Sequence, residues 1–289
     1  MYIQGKKIMP PPWLAYPHIE RGSIGWRMGY GEDYMFRFHD WLNKLSQEER
    51  EEYRKLFPEP VTWNGWWEHE DTREMLKQGG LCLPLWRPQG APKYARTWLA
   101  QEAAQGIGYD MCLFWKHHPA EDGKITESCL SQWWMQEFRY SVTTYCCMEQ
   151  FMMEQKARLF EDEAIGKQIM DSHNPHEIRE LGRKVKGFDQ VLWDEAKYSI
   201  VLNGNWRKFS QNRDLRDFLL STGDSVLAEA SPYDAIWGIR LSAEAPGADN
   251  PFKWQGSNLL GFALMEVRDE LRRVTQNEEL CDWSFQREM

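Results

Sequence analysis

The stretch TTYCCMEQFMMEQKARLF, residues 143–160, decides how the rest of the chain is read. Met148, Phe151, Met152, Lys156 and Leu159 recur at helical spacing, which predicts a helix from about Cys147 to Phe160 ending in the acidic run 161–163. Glu149 and Lys156 stand seven residues apart on it and therefore share a face. Met152 and Met153 lie between them as an apolar wall, and desolvation beside such a wall raises a carboxyl pKa toward acid–base work. The same spacing also describes an ordinary helix with one surface acid and one surface base.

Downstream, Asn174 and Pro175 form a helix start, since an Asn side chain accepts from an orphan amide and proline lacks one; they open a helix near 176–184. Further helices are predicted over 189–206, 211–221 and 257–274, with a long ring-rich loop, 226–256, before the last. Upstream, YDMCLFWKHH (109–118) reads as a short strand on the alternation of Met111, Leu113 and Trp115. FRYSVTTY (138–145) reads as another, after a loop with an Asp122-Gly123 turn signal. Residues 1–108 are punctuated by Pro, Gly and Trp. Their one clear helix, DYMFRFHDWLNKLSQEEREEYRKLF (33–57), has an apolar stripe of Phe36, Trp41, Leu42 and Leu45 and a solvated charged end. No internal repeat appears. The expected fold is mainly α, an α+β arrangement with a few short strands near 109–145. Its expected parts are an N-terminal extension (1–108) packing on a main domain (109–275), and a C-terminal tail (276–289).

Composition narrows the partners. The 289 residues carry a formal charge of −9, with a pI near 5.4 and a mean hydropathy of −0.69. No global positive field is therefore available to hold a long polynucleotide by counterion release. Arg179, Arg183, Lys184 and Lys186 offer one local basic strip, which also reads as a solvated helix face. No window nears the roughly 18 apolar residues of a membrane span. The start MYIQGKKIMPPPW lacks the apolar core of a signal peptide, so a cytoplasmic protein without membrane contact is the expectation.

Six cysteines, at 82, 112, 129, 146, 147 and 281, form no CxxC pair and have no histidines at finger spacing, so no metal and no cofactor is expected. Vicinal Cys146 and Cys147 read either as redox-active or as small buried residues at the start of a helix. His117-His118 and His173 with His176 lack acidic or thiolate partners at ligand spacing and read as loop residues. No GxSxG, P-loop or GxGxxG stands in the right context, which removes several enzyme classes. The 16 tryptophans are in excess, as a ring-rich core or as stacking platforms for a planar ligand.

Asp234 and Trp237 lie three apart between Pro232 and Gly238, so a turn there presents both to one cleft, or else Asp234 caps the turn and Trp237 packs the loop down. Asn258 and Gly261 open the last helix, whose free amides would suit a phosphate if they are not simply capped.

From about Asp110 to Leu271 the chain resembles the NADAR (YbiA-like) family. Six ordered blocks carry the likeness: ESCLSQWW (127–134), TTYCCMEQFMMEQKARLF (143–160), LGRKVKGFDQVLW (181–193), GNWRKFSQN (204–212), LLSTGDSVLAEASPYDAIWGI (219–239) and QGSNLLGFALMEVRDEL (255–271). The family's Glu and Lys-Ala motif falls on Glu149, Lys156 and Ala157, and its tryptophan after the Gly-Arg block on Trp193. Its Asp-x-x-Trp-Gly block falls on Asp234, Trp237 and Gly238, and its Ser-Gln-aromatic loop on Ser131, Gln132 and Trp133. The resemblance implies a YbiA-like catalytic domain over 109–275 that hydrolyses a ribosyl–nitrogen bond. The expected reaction removes ADP-ribose from guanine; the alternative substrate is a phosphorylated ribosylamino-pyrimidine of riboflavin synthesis. A reading of another class is a non-catalytic ADP-ribose-binding module. The expected partner is a small molecule containing ADP-ribose or ribose phosphate, or that group carried on DNA or RNA.

Under this resemblance Glu149 shelters the oxocarbenium-like carbon or activates water. Lys156 holds phosphate or captures the opened sugar as a Schiff base. Trp193 and Trp237 sandwich the base, Asp234 reads its N–H groups, and Trp133 lines the ribose side. Arg240 stands where many members have Gly and is expected to narrow the cavity or pair with phosphate, while Asn258 is expected at the substrate through the last helix start.

Overall fold

The computed structural model describes residues 7–68 and 92–286. Cys82 and nearly all of LPLWRPQGAP (83–92) lie outside the described residues. The chain divides into two compact units, Met1–Leu85 with Glu270–Met289, and Trp86–Asp269. Residues 270–275, grouped by the sequence with the main domain, thus belong to the first unit.

In the first unit a short helix α1 (Pro12–Ala15) precedes α2 (Gly29–Asn43) and α3 (Gln47–Leu56). The single helix expected over 33–57 is two because Ser46 starts a capping box. Its Oγ accepts from Glu49 N at 3.2 Å while the Glu49 carboxylate accepts from Ser46 N at 2.8 Å, so both orphan amides are satisfied. The buried face of α2 is Tyr34, Phe38 and Leu42. Phe36, expected in the apolar stripe, is 65% exposed, because at helical pitch it points away from positions 34 and 38. Tryptophans fill the core here: Trp63 meets Trp13, Trp26 and Trp66 at ring separations of 5.5, 5.7 and 5.2 Å.

The second unit contains α4 (Arg96–Ala104), β1 (Met111–Phe114), β2 (Phe138–Tyr140) and β3 (Thr143–Tyr145). After these come α5 (Met148–Leu159), α6 (Glu163–Asp171), α7 (Pro175–Arg183), α8 (Gln190–Gln211), α9 (Arg213–Ser221), β4 (Val226–Glu229) and the start of α10 (Leu259–Thr275). FRYSVTTY is a hairpin, with Phe138 paired to Tyr145 and Tyr140 to Thr143. β1 and β4 run parallel, in register from Met111 with Val226 to Phe114 with Glu229. β4 is the first part of what the sequence presents as loop, since three apolar residues are too few to show a period. α6 was also hidden. The acidic run after α5 ends no helix but starts the next one, with Asp162 accepting from Ile165 N at 3.2 Å. Asn174 caps α7 as expected, accepting from the amides of His176 and Glu177.

The mainly helical fold is organised by α5, which is buried from Met148 through Glu154 and packs against α6, α7 and α8. Gly204 lets α8 come close: a Cβ there would stand 2.6 Å from both Met148 Cε and Phe151 Cδ1. Among the described residues no helix is long and apolar enough to cross a membrane. Because the aromatic ring of Phe151 cannot swing aside as a methionine tip can, Gly204→Leu should destabilise by about 1–3 kcal/mol, read as a lowered urea midpoint with an unchanged slope.

Candidate active site

The segments that leave the carboxyl ends of β1 and β4, 115–118 and 229–237, help to line a cavity of about 600 Å3. Carboxyl ends of parallel strands are where successive loops part and leave a crevice. The remaining lining comes from α5, from the 131–133 turn, from Arg179, Gly182 and Arg183 of α7, and from Trp193 of α8. Both Glu149 and Lys156 face this cavity, with Met152 and Met153 beside them.

Glu149 is only 4% exposed, and its backbone N–H donates to Gln132 O at 2.9 Å. Burial pushes its carboxyl up to about 7, opposed by the Arg179 charge and by the Trp133 indole N–H that donates to it; Asp234 adds to the rise. Lys156 is half-buried. Its ammonium donates to Gly182 O at 2.9 Å and lies over the rings of Phe188 at 4.4 Å and Trp193 at 5.6 Å, and burial lowers its pKa. Asp234 Oδ1 accepts from the amides of Ile236 and Trp237, both at 2.8 Å. This residue therefore caps its own turn and lines the cavity at once. Ser131, Gln132, Trp133 and Trp237 also line it, and the 129–131 segment is anchored from beneath. Lys208, wholly buried, donates to Cys129 O at 2.6 Å and Ser131 O at 2.9 Å; burial lowers it to about 8.

Three expected site residues sit elsewhere. Asn258 is fully buried, accepting from Glu229 N at 3.0 Å and donating to Leu227 O at 2.9 Å, so its side chain is spent on β4. Three amides at the start of α10 are taken as well: those of Asn258, Leu259 and Leu260 donate to carbonyls of Gly238, Ile236 and Trp237. Gly238 is buried because a Cβ would meet Glu229 O at 2.8 Å, a packing need that does not bring it to the cavity. Arg240 is exposed at a φ of 58° and is absent from the lining.

Sequence reasoning missed Glu229, which lines the cavity from the end of β4. The signal was a lone acid closing the apolar run Val226–Ala228, one residue short of the Ser-Pro turn. His117 and His118 also line the site, their rings 4.0 Å apart, although nothing at metal-ligand spacing marked them. Cys146 and Cys147 are buried, with their sulfurs 3.9 Å apart.

A profile of the NADAR domain matches residues 113–272, more than half of the chain. The chain belongs to the NADAR family. An N-glycosidase of Acanthamoeba polyphaga mimivirus is 41% identical over 158 residues, which span 53% of this NADAR chain and 93% of that protein. An N-glycosidase of Nostoc punctiforme is 34% identical over 132 residues, 46% of this chain and 78% of that one. The chloroplastic riboflavin biosynthesis protein PYRR of Zea mays is 34% identical over 111 residues, covering 37% of this chain and 16% of its own length.

The raised Glu149 pKa has a consequence for stability. Folded protein keeps a proton that the unfolded chain, at an ordinary 4.5, has released, so the contribution is full below that value and is lost as pH rises through about 7. Urea unfolding at pH 5 and pH 8 should show Glu149→Gln losing less stability over this interval than wild type, by up to about 3 kcal/mol. Equal losses would show that the carboxyl ionises freely in the fold.

Proposed function

We propose that this chain hydrolyses an N-glycosyl bond and that its substrate is ADP-ribose attached to guanine. It is an N-glycoside hydrolase of the NADAR family, in line with relatives that bear the name N-glycosidase at 41% and 34% identity. One observation carries the assignment to this cavity: a buried carboxyl and a ring-boxed amine, two turns apart on α5, open into one hollow with Trp133, Trp193 and Trp237.

Breaking a bond between an anomeric carbon and nitrogen builds positive charge on the ribose, and a desolvated carboxylate answers that charge more strongly than one in water. Glu149 supplies it and takes the proton of the attacking water. With its pKa near 7, about half of the molecules hold the carboxylate at neutral pH. Lys156 faces Gly182 O and two rings rather than an acid, so its lowered pKa suits an amine that captures the C1 aldehyde of an opened ribose. Trp193 and Trp237 flank the base, Asp234 accepts from its N–H groups, and Arg179 and Arg183 lie where phosphates bring negative charge.

ADP-ribosyl-guanine is favoured by a second ring platform. Trp115 and Tyr233 also line the cavity, 42% and 83% exposed, with rings 6.5 Å apart. A substrate with two purines uses both platforms, whereas a ribosylamino-pyrimidine phosphate has one ring to place. The second reading, that pyrimidine, draws on the likeness to the maize riboflavin protein.

Glu149→Gln should abolish release of free base while calorimetry still records heat with ADP-ribose. Turnover at the wild-type rate would sink the assignment, and heat without turnover in the wild type would make the protein a reader. Borohydride added during turnover should trap the sugar on Lys156; no adduct would leave Lys156 as a cation for phosphate. Free guanine and free pyrimidine, assayed from the two candidate substrates, decide between the readings.

A further inference from the structure

Glu229 stands at the carboxyl end of β4 with its main chain held on both sides. Its N–H donates to Asn258 Oδ1 at 3.0 Å, and its carbonyl accepts from Ile239 N at 2.9 Å. The side chain has different surroundings: Oε2 is buried without a hydrogen-bond partner among the described residues, and the residue lines the same cavity as Glu149 and Asp234. A buried carboxyl oxygen with no donor favours the neutral acid. Glu149 differs in having the indole N–H of Trp133, while the charge of Arg179 acts on both carboxyls. Two carboxyls in one hollow, one given a donor and one not, part in acidity, and such a pair divides into base and acid.

We propose that Glu229 is the acid of this site, giving its proton to the leaving nitrogen as the bond to the ribosyl carbon breaks. The inference rests on the N-glycosidase reading and adds the group that step needs. Water oxygen bonds to the anomeric carbon, Glu149 takes a water proton, the C–N pair leaves with the base, and Glu229 protonates that nitrogen. Proton exchange with solvent then restores Glu149 as carboxylate and Glu229 as acid, so the net change is one water added across one bond.

Burial raises Glu229 to about 8; the charges of Asp234 and Glu149 push the same way and Arg179 opposes them. At neutral pH it therefore retains the proton that the step consumes. The other titratable groups around the cavity are Lys116, His117 and His118 beyond β1, Lys156 on α5, Arg183 on α7, and Tyr233. Of these, His117 is held below its ordinary value by burial and by His118, so it is mostly neutral near pH 7 and does not compete as the proton donor.

The test compares leaving groups. Wild type and Glu229→Gln are assayed on ADP-ribosylated guanine and on the 4-nitrophenyl glycoside of ADP-ribose, whose nitrophenolate departs without a proton. Guanine release should fall by about 10²–10⁴-fold in kcat, with KM little changed and the alkaline limb of the pH profile removed, while nitrophenolate release falls less than about tenfold. Equal losses on both substrates, or undiminished guanine release, overturn the proposal. Infrared titration of Glu149→Gln gives a reading that does not depend on the folding of the Glu229 variant: a protonated-carboxyl band should persist above neutral pH, and its loss in the ordinary carboxylate range overturns the proposal. If wild type releases neither product, the N-glycosidase reading falls and the acid with it. If wild type releases guanine and Glu229→Gln does so equally well, only the acid falls.

Discussion

The site depends on the removal of one carboxyl, that of Glu149, from water. A carboxylate in apolar surroundings is costly unless donors meet it, and this chain supplies only part of what full ionisation would need. Trp133 donates to it and Arg179 faces it, yet burial still dominates and leaves the group balanced near neutrality. The burial itself is a property of α5, which has three helices packed around it and keeps nearly its whole first half from solvent.

Several features that look remote from chemistry serve that balance. Lys208 holds the carbonyls of Cys129 and Ser131, and the same turn then provides Gln132 O for the Glu149 amide and the Trp133 ring for its carboxylate. Asn258 does comparable work on the other strand, bonding the backbone of Leu227 and Glu229 so that the end of β4 is set. Neither side chain lines the cavity. Their contribution is to leave few conformations to the residues that do, and preorganised groups need no rearrangement when charge develops.

The tryptophan excess has two physical causes. In the first unit Trp13, Trp26, Trp63 and Trp66 are buried against one another, a core made from rings in a region short of long helices. In the second, Trp115, Trp133, Trp193 and Trp237 line the cavity. Composition counts both alike, because an indole packed on an indole and an indole facing a cavity are the same residue.

Local patterns in the sequence settled the helix over 148–159 with Glu149 and Lys156 on one face, the Asn174 cap, the family, and most of the lining rings. These depend on periodicity, capping chemistry and short motifs that neighbouring residues carry by themselves. The Ser46 capping box stands in the sequence too, but the charged run after it reads as the solvated end of one continuous helix, which masked the break between α2 and α3. Only the tertiary structure decided that Glu229 lines the cavity and that Asn258, Gly238 and Arg240 do not. Glu229 reaches the cavity because β4 pairs in parallel with β1, more than a hundred residues away in the chain. Pairing across such a distance is set by which surfaces bury together, and no window of local sequence records it.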